Sequence, residues 1–299
     1  MSITTHTTTD GLDSRSDVGA VTLHVADLDA QLRFYTEGVG LSVLAAEGDS
    51  AVLGRGTEPI VILQHSPQLR HAAAHSAGLF HTAILFDSQQ ALAKSVASVA
   101  THYPRAFTGS ADHLVSEAFY FDDLEGNGVE LYVDRPRSAW TWNNGLVHMD
   151  SLYLDPNAYL AQHLPQDGAA ELNGGAAGAK DATLGHVHLK VGSTETARAF
   201  YEGVVGFDVS SKLGNQAIFF SVGGYHHHLA ANTWDSRGAL VRTPSLGLGE
   251  IDLVLPTTDA MGALRERLTA HGVAQQDDGR TLTFEDPWRN ALRITVAGA

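Results

Sequence analysis

The chain has no cysteine. That absence removes disulfides, thiol nucleophiles, iron–sulfur clusters and zinc sites built on thiolates, and leaves nitrogen and oxygen atoms as the donors for any bound metal. Positive charge is also scarce: 19 Lys and Arg stand against 34 Asp and Glu, for a formal net charge of -15. The basic residues are scattered, so the sequence carries no electrostatic footprint for nucleic acid or for an anionic membrane surface. No apolar run approaches the roughly 18 residues that would span a bilayer. Residues 1–17 lack the basic segment followed by an apolar one that marks a secretion signal, and read as a flexible tail on a cytoplasmic protein. Histidine, by contrast, is plentiful, with 16 in 299 residues, a length that suggests two domains.

The histidines gather first in Gly185-His186-Val187-His188-Leu189-Lys190-Val191. Side chains alternate along a strand, so Val187, Leu189 and Val191 can face a core while His186 and His188 look together to the other side. This stretch has a counterpart. Gly19, Val21, Leu23, Val25, Phe34, Tyr35, Val39, Gly40 and Val43 match Gly185, Val187, Leu189, Val191, Phe200, Tyr201, Val205, Gly206 and Val209 at one constant offset. That is an internal duplication. Each copy reads as a strand, a helix capped by Asp27 or Ser193, a glycine break, and short strands at 50–53 and 59–63 or at 217–222 and 226–230.

Two further units keep this order with less identity. One has a strand at 80–86, a helix at 88–100 and a hairpin of 117–122 with 128–133. The other has a strand at 250–255, a helix at 260–271, and strands at 282–285 and 291–296. The fold class expected is therefore α+β, four βαβββ modules in two domains. Residues 18–134 hold modules 1 and 2, residues 184–299 hold modules 3 and 4, and 135–183 is a connector whose 166–179 part is a flexible linker by its Gly and Ala content.

The Gly-His-Val-His-Leu start, the Phe-Tyr in the helix, the Val-Gly-Phe after it and the Asp123-Leu-Glu-Gly-Asn-Gly-Val-Glu-Leu-Tyr132 ending resemble the vicinal oxygen chelate superfamily. The resemblance covers nearly the whole chain after the tail and implies modules that pair into curved bowls around a divalent metal. With Asp112-His-Leu-Val-Ser-Glu-Ala118, the run Gly223-Gly-Tyr-His-His-His-Leu-Ala-Ala-Asn-Thr-Trp234 is similar to the two-domain catechol 2,3-dioxygenase group.

In this superfamily metal ligands stand at the start of a module's first strand and in the middle of its last. By that resemblance module 3 offers His186 and module 2 offers His81 and Glu130, whereas module 1 has Ala20 and Val61 and module 4 has Glu250 and Arg293. A bowl shared by modules 2 and 3 unites His81, Glu130 and His186; the rival, a bowl of modules 3 and 4, would use His186, His228 and Glu250. Two histidines and one carboxylate with open positions form the ligand set of non-haem Fe(II) oxygenases. Alternation also sets Glu130 on the opposite side from the core-like Val129, Leu131 and Val133. The resemblance further implies that Tyr120 contacts the bound diol and that His228 handles a proton, a role suited to an imidazole. His188, His226 and His113 are candidate pocket residues, and Asn232 and Trp234 a candidate substrate rim.

The expected function is an Fe(II)-dependent extradiol dioxygenase using a small aromatic diol and O2, with Fe(II) ahead of Mn, Ni or Zn and a homo-oligomer expected from base rates. Two alternatives remain: a glyoxalase-like lyase or isomerase, which usually fills four protein ligand positions, and a small-molecule-sequestering protein, whose relatives have generally lost them. Ring substituents and the choice between proximal and distal cleavage are not legible in the residues.

Overall fold

The computed structural model describes residues 11–164 and 180–298. The first ten residues of the expected tail and the 166–179 linker thus lie outside the described residues. Gly11 to Ser16, part of that expected tail, is held in place: Leu12 N–H donates to the Gly206 carbonyl at 2.7 Å, and Ser16 is buried.

Module 1 comprises β1 (Asp17–Val25), α1 (Leu28–Arg33), β2 (Ser42–Glu47), β3 (Ser50–Arg55) and β4 (Glu58–His65). Module 2 repeats the order with β5 (Gly78–Phe86), α2 (Gln89–His102), β6 (Phe107–Asp112), β7 (Ser116–Asp122) and β8 (Gly128–Asp134). The connector carries the short strands β9 (Trp142–Asn143), β10 (Leu146–Val147) and β11 (Leu152–Tyr153), then α3 (Pro156–His163). Module 3 has β12 (Ala182–Lys190), α4 (Thr194–Phe200), β13 (Asp208–Leu213), β14 (Ala217–Ser221) and β15 (Leu229–Asn232). Module 4 has β16 (Gly247–Leu255), α5 (Thr258–Ala270), β17 (Gln275–Asp277), β18 (Leu282–Glu285) and β19 (Ala291–Val296). None of the described helices is long and apolar enough to cross a membrane.

The duplication read from sequence recurs in local detail. Asp27 and Ser193 cap α1 and α4 by accepting from Ala30 N–H and Thr196 N–H. Each helix then widens into a π-turn, at Phe34–Gly38 and at Tyr201–Val205, which sets Phe34, Tyr35 and Tyr201 in the core. Tyr35 O–H donates to Asp123 at 3.3 Å and Tyr201 O–H to Asp286 at 2.9 Å, so each buried tyrosine ties its module to the turn before the next module's last strand. One large hydrophobic cluster runs through all four modules.

The strands assemble into two large sheets. One orders as β17-β18-β19-β16-β1-β4-β3-β2 and joins modules 4 and 1; the other orders as β11-β6-β7-β8-β5-β12-β15-β14-β13 and joins modules 2 and 3. Each sheet therefore takes one module from each half of the chain. The rival bowl of modules 3 and 4 does not form, because His186 and Glu250 belong to different sheets. The expected strand at 226–230 is also shifted: β15 starts at Leu229, and Gly223 and Gly224, with φ of 60° and 70°, turn the chain before it.

Candidate functional site

The antiparallel seam of β5 and β12 lies at the middle of the nine-stranded sheet, with His188 opposite His81 and His186 opposite Ala83. On the far side of β5, parallel β8 places Glu130 opposite Ala83. Pairing alone thus draws His81, His186 and Glu130 to one spot. Two glycines permit the close approach. A Cβ at Gly185 would stand 1.9 Å from the Tyr132 hydroxyl, and one at Gly128 would stand 2.2 Å from the Phe80 carbonyl oxygen.

Glu130 Oε2 lies 2.9 Å from His81 Nε2 and 3.3 Å from His186 Nε2, and the two Nε2 atoms are 3.3 Å apart. All three residues are buried, and each offers a ligand atom within 4.8 Å of the others. Burial opposes ionisation of Glu130, yet the facing His186 and His81 hold its carboxyl well below the usual carboxylate range. Burial also lowers the His186 imidazole to about 4, against the pull of Glu130, so its ring is neutral and ready to ligate near pH 7. Two imidazole nitrogens and a carboxylate oxygen brought this close form a set of lone-pair donors that a divalent cation satisfies at once. The donor set fits such an ion.

Register also shows what a fourth ligand would have to be. The β12/β15 pairing mirrors that of β5/β8, and the place corresponding to Glu130 is Ala230, opposite His188. Alanine offers no donor there. The protein set is two nitrogens and one oxygen.

A cavity of about 390 Å³ opens onto this triad. Of the candidate residues, Tyr120, His113, His188 and Trp234 line it, whereas His226, His228 and Asn232 do not. Tyr120 O–H sits 2.6 Å from His113 Nε2, and burial, reinforced by Glu130, raises its hydroxyl well above the ordinary tyrosine value, so it stays protonated. Asn232 Nδ2 lies behind the cavity, 3.0 Å from His188 Nε2.

His228, expected to handle a proton, does not line the cavity. His228 turns toward Ser221 Oγ at 3.2 Å and Val222 N–H at 3.3 Å, because the glycine turn, and not a strand, sets its direction. His227 faces the cavity instead, with its ring centroid 4.0 Å from that of His186. His226 stands behind it: Nδ1 is 2.8 Å from His227 Nδ1, and Nε2 is 2.8 Å from Asp134 Oδ1. A carboxylate only accepts, so His226 carries its hydrogen on Nε2. In the tautomer in which His227 Nδ1–H donates to His226 Nδ1, the lone pair of His227 Nε2 is left free. Sequence reasoning also missed Phe80 and Phe219, apolar residues in strands, and Met149, Asp150 and Ser151 of the connector, all of which line the cavity.

Comparison with known proteins places this geometry in a lineage. Residues 183–294 match the family described as Glyoxalase/Bleomycin resistance protein/Dioxygenase superfamily. A Catechol-2,3-dioxygenase of Bacillus subtilis (strain 168) is 32% identical over 275 residues, covering 90% of this chain and 93% of that protein. The chain belongs to the glyoxalase/bleomycin resistance/dioxygenase superfamily. Solved structures of similar fold include one of a Bacillus subtilis protein, with a TM-score of 0.64, 12% identity and coverage of 95% of this chain and 86% of that one. Glyoxalase I of Zea mays has a TM-score of 0.57 at 15% identity, covering 94% and 92% of the two chains. At these identities the structural likeness concerns the superfamily fold, and the paired curved sheets are its vicinal oxygen chelate form.

Proposed function

We propose that this protein is an Fe(II)-dependent extradiol dioxygenase that opens the ring of catechol or a substituted catechol. The observation that carries the reading is the convergence of His81, Glu130 and His186, with alanine at the fourth ligand place, at the base of a cavity flanked by Tyr120 and His227. The name of the Bacillus relative, a catechol-2,3-dioxygenase, supports the same substrate class.

Bound to the triad, Fe(II) would leave positions open for both diol oxygens and O2, and would let ring electron density reach O2. The chain's own groups do the rest. His227 Nε2, with its free lone pair, takes a proton from the diol, while His226 and Asp134 hold the ring in the tautomer that can do so. Tyr120, kept protonated and fixed by His113, donates to a substrate oxygen. Largely apolar walls keep bulk water from the reacting ring. The overall change breaks one ring C–C bond beside the hydroxylated carbons and places both atoms of O2 in the product.

Ala230 at the fourth ligand place speaks against a four-ligand glyoxalase-type lyase, and the retained donor set speaks against a metal-free sequestering protein. The test is anaerobic loading with Fe(II), then catechol, then oxygen. A yellow ring-fission product with matching O2 uptake is expected; no colour and no uptake across several catechols with iron bound would overturn the reading.

A further inference from the structure

The cavity has walls of distinct chemistry beyond the triad. Phe80, Phe219 and Trp234 form an aromatic wall, with Phe80 5.2 Å from Trp234 and Phe219 5.0 Å from His227 between ring centroids. Val115, Met149 and Leu213 continue the apolar lining. Two of these side chains reach water at the mouth: Trp234 is 47% exposed and Leu213 54%. Charge is nearly missing. Among the described residues no arginine lines the cavity, the one lysine that does, Lys212, is exposed, and Asp150 adds a negative charge at the same rim. A carboxylate on the substrate would leave water without a buried cation to receive it, which is costly. An apolar group would instead cover Trp234 and Leu213 and release the water on them.

We infer that the preferred substrate is a catechol bearing a neutral, apolar ring substituent, with Trp234 and Leu213 as the residues that select it. The inference rests on the ring-cleaving reading and deepens it. An alkyl substituent adds contacts the bare ring cannot make; each buried methylene corresponds to about a fourfold gain in affinity.

The experiment compares catechol, 3- and 4-alkylcatechols up to tert-butyl, 3,4-dihydroxybenzoate and the cationic 4-(2-aminoethyl)catechol. Two readouts are taken on the Fe(II)-loaded protein: kcat/KM in air, and Kd by anaerobic titration calorimetry. The alkylcatechols are expected to exceed catechol by about tenfold or more in both, with the carboxylate the poorest. Trp234→Ala and Leu213→Ala are expected to bring the ratio of tert-butylcatechol to catechol toward one; Leu213 is exposed enough that its truncation does not threaten folding. Equal or better binding and turnover of the carboxylate, or no gain from alkyl groups, would overturn the inference while leaving ring cleavage intact. If no catechol is turned over, the reaction reading fails, and the Kd series still decides whether the cavity selects apolar diols.

Discussion

Among the described residues the same sheet seam occurs twice, and a cluster of side chains that could hold a metal once. In the nine-stranded sheet the seam of β5 and β12 carries His81 and His186, with Glu130 on the neighbouring strand. In the eight-stranded sheet the seam of β1 and β16 has the same antiparallel register, with Thr22 opposite Glu250 where the other has His188 opposite His81. Followed through that register, Ala20, Glu250 and Arg293 stand where His186, His81 and Glu130 stand, and Ile62 stands where Ala230 does. Arg293 pairs with Asp252 at 3.4 Å, and its guanidinium would repel a cation at the spot where Glu130 would attract one. The comparison teaches that the scaffold does not make the site. The backbone supplies a convergence point in both sheets, and three side chains decide whether it can hold a metal.

The largest effect expected is therefore an asymmetry between equivalent substitutions. Glu130→Gln is expected to lose iron and to cut ring cleavage by more than about 100-fold, beyond the range for residues that merely support ligands. Glu250→Gln and Arg293→Gln are expected to leave iron content, measured by atomic absorption, at its original value. Loss of iron in the second pair would erase the distinction between the sheets.

Three smaller effects sharpen the account around the β5/β12 seam. His227→Gln is expected to retain iron while kcat falls by roughly 10²–10⁴, as for removal of a general base. His228→Gln, which breaks the contacts with Ser221 and the Val222 N–H, is expected to cost about 1–2 kcal/mol of stability and little activity. The reverse outcome in steady-state kinetics would restore the proton-handling role to His228. Asp134→Asn is expected to reduce kcat about 10- to 100-fold with KM nearly unchanged, since the group acts through His226 on His227.

Acid sensitivity should also divide the sheets. Burial lowers His186 and His188 on β12 and His227 and His228 just before β15, His186 to about 4 and His228 to about 3; in the eight-stranded sheet it lowers His24. Each takes up its proton at a lower pH in the fold than its unfolded counterpart does near 6.5, so the unfolded chain binds more protons and stability falls as pH drops through that value. The urea midpoint of metal-free protein is expected to fall between pH 7 and pH 5, and His188→Asn to reduce that fall. A midpoint independent of pH over this range would contradict the assigned burial.

Much of this was legible in the residues. The paired motifs around Gly19 and Gly185 disclosed the repeat because both copies must bury the same Val, Leu, Phe and Tyr set. His81, Glu130 and His186 were legible because strand alternation fixes which side chains leave the core, and their concentration in modules 2 and 3 pointed to the sheet those modules share. His227 was not legible, since two left-handed glycines break the alternation just before it. Nor were Met149 and Asp150, which the connector brings to the cavity through tertiary contacts such as Val147 O accepting from Ser211 and Asp150 O bonding His113. Phe80 and Phe219 look like core residues in any strand pattern; only the packing shows that they face a cavity.

The most direct test of the central claim is anomalous diffraction at the iron edge from crystals grown with Fe(II) under nitrogen. One peak per chain, bounded by His81, Glu130 and His186, with none beside Glu250 and Arg293, is the expected result. A peak in the eight-stranded sheet, or none between the three residues named, would contradict it.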